Sequence, residues 1–163
     1  MARGGHSLAL GHSDPADNPD LFFEDIQIGD TFVGDTVHVH RDKILSFATE
    51  FDDQPMHLDA AAAKAMGLND IIAPGAYIFA LTAKSQRSIW KRFDMLPSGL
   101  GIKVSFVLPL YPDDTLTGHM EIVAVRPSSK PGRGWIDTKV IFKNQNGKDA
   151  VESSASLLLK CQS

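Results

Sequence analysis

The chain has 163 residues, 43% hydrophobic and 22% charged, which suits one globular domain with a full-sized core. With 20 acidic residues against 16 basic ones, the net charge is −4, and nothing in that balance suggests a nucleic-acid binder. The single cysteine, Cys161, excludes an internal disulfide framework and fits a reducing compartment, and no apolar run approaches the ~20 residues a membrane span needs.

Residues 1–20 are rich in Gly, Asp, Asn, Pro and Ser and read as a flexible tail. Residues 21–163 read as one domain. The tail lacks the apolar stretch of a secretory signal, so a cytoplasmic location without membrane insertion is expected. His6 and His12 fall in the tail, where no scaffold would gather further ligands. Phe22 to Asp30 reads as a turn leading into a strand. From Thr31 to Val39 the pattern alternates imperfectly, with Val33, Val37 and Val39 on one face and Phe32, Gly34 and His38 on the other. His38 and His40 share a face, but no third or fourth ligand lies near in sequence, so no metal is expected.

The spacing predicts a helix over about 41–51, with Ile44, Phe47, Ala48 and Phe51 forming a stripe expected in the core. A polar joint follows, Asp52-Asp53-Gln54-Pro55-Met56-His57. Pro55 biases Gln54 toward an extended backbone and so ends the helix. An alanine-rich helix comes next, with Asp59 as its N-cap and Gly67 as its stop. Pro74-Gly75 then opens a long helix over about 76–93. Its first turns are apolar all round, which implies that other structure wraps them. Tyr77, Phe79 and Trp90 are expected in its core contacts. Four alternating runs complete the chain, over about 102–108, 115–124, 135–142 and 151–159, and imply an antiparallel sheet. With the early strand, this is an α+β fold in which a curved sheet surrounds one long helix.

The polar joint carries the chemistry. A carboxylate and an imidazole converging on one water form a general acid–base pair, so Asp52 and His57 are the candidates. The plainer account is a loop whose polar side chains satisfy backbone groups. The start of the long helix is the second candidate. There the free N–H groups of Gly75 and Ala76, with the positive end of the helix dipole, suit a carbonyl oxygen that gains negative charge. Its plainer account is a Pro-Gly turn. The loop from Arg126 to Arg133 holds three cations able to meet phosphates, but reads better as a solvated hairpin loop. His119 reads as a surface or interface histidine on a polar strand face.

The joint, read as Phe51-Asp52-Asp53-Gln54-Pro55-Met56-His57, resembles the signature of the MaoC-like dehydratases, relatives of the R-specific enoyl-CoA hydratases. The usual form runs Gly-Asp-x-Asn-Pro-(Leu/Ile)-His. Asp, Pro and His match at the same spacing, while Phe51 replaces the Gly and Gln54 the Asn. The resemblance runs from about Phe22 to Leu159. It implies a hotdog fold and hydration or dehydration of a 2-enoyl or 3-hydroxyacyl thioester. It also implies Asp52 and His57 as catalytic residues, with Gln54, Gly75 and Ala76 meeting the substrate. No metal or redox cofactor is implied, coenzyme A being part of the substrate. A homodimer or a trimer of dimers is implied, because in the family the site forms where subunits meet. An acyl-CoA thioesterase and a non-catalytic acyl-CoA-binding subunit remain the alternatives.

Overall fold

The computed structural model describes residues 19–98 and 101–162. A short 3-10 turn, Phe23–Asp25, leads to β1 (Thr31–His38) and α1 (Arg41–Phe51). Two short helices follow, α2 (Pro55–Leu58) and α3 (Ala60–Ala65), then the long α4 (Gly75–Trp90). The remaining strands are β2 (Ile102–Phe106), β3 (Thr115–Pro127), β4 (Arg133–Lys143) and β5 (Asp149–Lys160). The α+β expectation holds, with one antiparallel sheet in the order β1-β3-β4-β5-β2. The expected tail lies outside the described residues except for Pro19 and Asp20. Asp20 is held, its carboxylate paired with Arg92 at 3.0 Å.

The core forms where α4 meets the sheet. Ile78, Leu81, Ser85 and Ile89 of α4 are buried, as are Leu116, Met120 and Ile122 of β3 and Ile136, Val140 and Phe142 of β4. Full burial of each such aliphatic side chain contributes roughly 1.5–3 kcal/mol before entropy is counted. Strict alternation fails in β1, where Phe32 and Val37 are both buried although they differ in parity. The register shifts between Val33 and Thr36, so a bulge moves the second half of the strand onto the inner face. Gly34 sits in that bulge, where an added Cβ would come within 2.2 Å of the Ser85 carbonyl oxygen. The Ser85 hydroxyl donates to the Asp35 carbonyl at 2.7 Å and accepts from the Gly118 N–H at 2.9 Å. One glycine and one serine thus let α4 lie directly on β1 and β3.

The four late strands do not run as consecutive neighbours. β2 pairs with β5 at the far edge, so the segment between β2 and β3 crosses one end of the sheet. Backbone bonds secure it along the way. Val107 and Leu108 N–H groups share the Ala150 carbonyl, the Ala73 N–H donates to the Leu110 carbonyl at 2.9 Å, and the Asp113 N–H donates to the Val39 carbonyl at 2.8 Å. β2 is left as an edge strand with Ile102 and Phe106 about half exposed.

Two residues expected in the core are not there. Phe51 is 66% exposed and Phe79 is 42% exposed. Phe51 ends α1, beyond the reach of the sheet, and rests on Phe47 with ring centroids 5.0 Å apart. Phe79 lies on the side of α4 that faces the exposed edge. Tyr77 and Trp90 are only partly buried and pack against the core from outside.

Candidate active site

The joint takes its shape from three local choices. Asp52 leaves helical geometry at φ −157 and ψ 75, while its N–H still bonds the Ala48 carbonyl. Gln54 is extended at φ −68 and ψ 141, as the residue before proline prefers. Pro55 then opens α2 at a position where its missing N–H costs nothing. His57 therefore sits inside a single helical turn, not immediately before the alanine helix. Asp59 caps that helix as expected, accepting from the Ala61 N–H at 2.7 Å, and Gly67 closes it at φ +86.

This backbone brings Asp52, Gln54 and His57 together. The Gln54 side-chain amide donates to Asp52 Oδ1 at 2.7 Å, and Asp52 Oδ2 faces His57 Nε2 at 3.6 Å. That separation exceeds a direct hydrogen bond. His57 is only 4% exposed, whereas the Asp52 side chain is 29% exposed, so the pair spans the boundary between interior and solvent. His57 Nδ1 lies 2.8 Å from the Ile72 carbonyl oxygen. A carbonyl only accepts, so Nδ1 carries a ring proton, and in the neutral tautomer that this bond selects the Nε2 lone pair faces Asp52.

The expected helix tip is linked to this group through Ile72, three residues before Gly75. The Ile72 N–H donates to the Met56 carbonyl at 3.1 Å, so residues 56 and 57 hold both peptide groups of Ile72. Three residues later Gly75 opens α4, its N-cap Pro74 in an extended conformation. No hydrogen bond among the described residues joins Gly75 or Ala76 to Asp52, Gln54 or His57. Gly75 lies beneath the Phe106 ring, 3.1 Å from where a Cβ would stand, and Ala76 is exposed. Tyr77, in the same first turn, stacks on Phe47 with ring centroids 5.6 Å apart. Burial, and then the Asp42 charge, push its hydroxyl above the ordinary value, so it stays protonated at neutral pH.

The Ile72 carbonyl was missed from sequence, because a backbone acceptor has no residue type to announce it. The candidates set aside stay apart from the joint. Arg126 pairs with Asp137 at 3.0 Å and stacks on Trp135, and His119 is exposed on β3. Among the described residues no cluster of three His, Cys, Asp or Glu side chains is placed to hold a metal.

Residues 25–144 match the profile described as the MaoC like domain. The chain belongs to the MaoC-like dehydratase family. A curated relative, the uncharacterized protein YdeM of Bacillus subtilis, is 30% identical over 138 residues, covering 84% of this chain and 97% of that protein. The crystal structure of the MaoC-like dehydratase from Rhodospirillum rubrum superposes with a TM-score of 0.75 at 28% identity, covering 88% of this chain and 99% of that one. The R-hydratase PhaJ1 of Pseudomonas aeruginosa shares the fold, with a TM-score of 0.62 at 24% identity over 88% of each chain. The α+β architecture, with its five-stranded sheet and long helix, is the hotdog fold of this MaoC-like family.

Proposed function

We propose that this MaoC-like protein adds water to the double bond of a 2-enoyl-CoA thioester, or removes it from the 3-hydroxyacyl product, with Asp52 and His57 as the general acid–base pair. The observation that carries the reading is the 3.6 Å approach of Asp52 Oδ2 to His57 Nε2, with the imidazole fixed from behind by the Ile72 carbonyl. In the form that reacts, with a neutral ring facing a carboxylate, both facing atoms are acceptors, so one water bridging them donates a hydrogen bond to each. As its oxygen bonds to the β-carbon, one proton passes to the pair, and the pair returns a proton to the α-carbon. The sum is one water added across the double bond.

Gln54 holds the carboxylate in the orientation this requires. The free N–H groups at Gly75 and Ala76 receive the thioester oxygen, whose negative charge grows as the β-carbon is attacked. No resident cofactor enters these steps, and coenzyme A arrives with the substrate. The exposed apolar residues Phe79, Ile102, Phe106 and Val107 around the edge strand β2 support assembly as a homodimer or a multiple of it. Light scattering on the purified protein tests that assembly, and a monomeric mass at working concentration excludes it.

A panel of enoyl-CoA thioesters, followed by loss of the conjugated double bond, tests the reaction. Turnover should fall roughly a hundredfold or more in Asp52→Asn and in His57→Ala. Unchanged rates in both would leave a binding subunit as the better account. Release of free thiol from saturated acyl-CoA would point to a thioesterase, a reading disfavoured by the lack of any Asp or Glu in α4.

A further inference from the structure

Building on the reading of Asp52 and His57 as the acid–base pair, we propose that Arg41 and Asp70 are positioning residues for the reaction, an ion pair that aims the Ile72 carbonyl at His57. Arg41 Nη2 donates to Asp70 Oδ2. The other oxygen of the same carboxylate, Oδ1, accepts from the Ile71 N–H at 2.7 Å. The next residue is Ile72, whose carbonyl oxygen lies 2.8 Å from His57 Nδ1. A short chain of bonds therefore runs from the start of α1 to the imidazole.

The segment 68–74, between α3 and α4, has no helix or strand to set its peptide planes. Ile71 and Ala73 are buried, which fixes where the segment lies. Burial of side chains does not fix how the intervening peptide planes turn. The Asp70 carboxylate fixes the plane just before Ile71, and Arg41 holds that carboxylate. The Arg41 bond above all, then the Ile71 N–H, keep the Asp70 carboxyl below the usual range, burial opposing them less, so the group is charged at neutral pH. Lys64 adds a favourable charge but makes no bond to Asp70 among the described residues.

The place of Arg41 in α1 also calls for such a role. It is the first residue of the helix, where the positive end of the dipole disfavours a cation. The same helix ends at Asp52, roughly 16 Å away at ~1.5 Å per residue. One rigid element thus delivers the carboxylate at its C-terminus and anchors the support of the imidazole at its N-terminus. Both side chains of the ion pair are partly exposed. Exposed pairs add little to overall stability, so variants at either position should fold.

Two measurements test this, one of them without substrate. Arg41→Ala, Asp70→Asn, their double variant and Arg41→Lys are compared in the full chain. The control is Asp20→Ala, which breaks the pair with Arg92 beyond the other end of α4. NMR first follows solvent exchange of the Ile72 amide proton and the His57 Nδ1 proton, the latter assigned with His57→Gln. Both should exchange about fivefold faster or more in Arg41→Ala and Asp70→Asn, and near the wild-type rate in Arg41→Lys and Asp20→Ala, while the Val140 amide in central strand β4 is unmoved in all. Steady-state hydration of an enoyl-CoA follows. In Arg41→Ala and Asp70→Asn kcat should fall about tenfold with KM little changed. The double variant should lose no more than either single one, and Arg41→Lys should recover most of the rate. Unchanged exchange at Ile72 and His57, equal acceleration at Val140, a loss carried by KM alone, or losses that multiply in the double variant overturn the proposal. If exchange responds as expected but the wild type hydrates no enoyl-CoA thioester, the support of His57 stands and the hydratase reading fails.

Discussion

His57 Nδ1 lies 2.8 Å from the Ile72 carbonyl oxygen, while the Ile72 N–H is taken by the carbonyl of Met56, the residue before that histidine. One residue is thus held at both of its peptide groups, and through it the polar joint is tied to the chain that opens α4. The same bond sets which imidazole nitrogen carries the proton. His57→Ala removes both the lone pair facing Asp52 and the donor to a carbonyl beside the core. It should lower hydration roughly a hundredfold or more and lower stability by about 1–3 kcal/mol. Asp52→Asn, which keeps the shape, should match the loss of rate with a much smaller loss of stability. Urea midpoints read beside initial rates separate the two effects. Equal destabilisation by both variants would contradict the role given to Ile72.

Gln54 is exposed, and its one side-chain bond among the described residues runs to Asp52 Oδ1 at 2.7 Å. Gln54→Ala should therefore change stability by no more than about 0.5 kcal/mol. Its effect should appear in kcat, by about tenfold, because a carboxylate free to turn spends less time facing His57. Gln54→Asn, one methylene shorter, should fall between. Steady-state kinetics on any enoyl-CoA the wild type hydrates decides the matter, and an unchanged kcat in Gln54→Ala removes the positioning role.

What could be read in advance follows a physical line. The strand faces Leu116, Gly118, Met120, Ile122 and Ile136, Thr138, Val140, Phe142 were legible because side-chain alternation has one period along a regular strand. The break in β1 was visible only as imperfect alternation. Its cause is Gly34 meeting a residue 51 positions later, and no local window contains that contact. The pairing of β2 with β5 was hidden for a related reason, since the crossing segment has the composition of a turn. At the site, the Asp52, Gln54 and His57 grouping was legible because all three lie within one six-residue joint. The Ile72 carbonyl was not, having no side chain to mark it. Phe51 and Phe79 were misplaced because helical spacing reports that residues share a stripe, not whether anything in the same chain covers that stripe.

Gly75 offers a test of the helix tip. An added Cβ would stand 3.1 Å from the edge of the Phe106 ring, and that ring is half exposed and able to give way. Gly75→Ala should fold with near wild-type stability, helix propensity offsetting the contact. If the thioester oxygen needs close access to these N–H groups, kcat/KM should still fall by about tenfold. Adding Phe106→Ala to relieve the contact should not restore it. Full recovery in the double variant would assign the loss to packing alone.

Gly34 lacks such tolerance. Its added Cβ would meet the Ser85 carbonyl oxygen at 2.2 Å and the carbonyl carbon at 3.0 Å, and both are backbone atoms inside α4. Relief requires the helix to lift from β1 and β3, with loss of the Ser85 bonds to Asp35 and Gly118. Gly34→Ala should cost about 3 kcal/mol or more. Thermal unfolding should show it as a large fall in Tm. A Tm within a degree or two of wild type would mean that α4 is held less closely than these distances require.

Asp137 joins strands β4 and β5 through its side chain. The Ser156 hydroxyl donates to it at 2.5 Å and Arg126 at 3.0 Å. The Ser156 bond, above all, holds its carboxyl below the usual range; burial opposes it and ranks second, and the Arg126 bond and charge add smaller lowering effects. A carboxyl lowered in the folded state binds protons more readily when unfolded, so its stabilisation is present above the unfolded value and lost as pH falls through the folded one. The side chain is about a third exposed, which keeps the contribution under about 1 kcal/mol. The difference in stability between wild type and Asp137→Asn should therefore stay constant from about pH 7 to about pH 5 and shrink below about pH 4. Urea titrations across that range measure it. A difference that grows on acidification would reverse the sign and place the stabilising interaction on the protonated form.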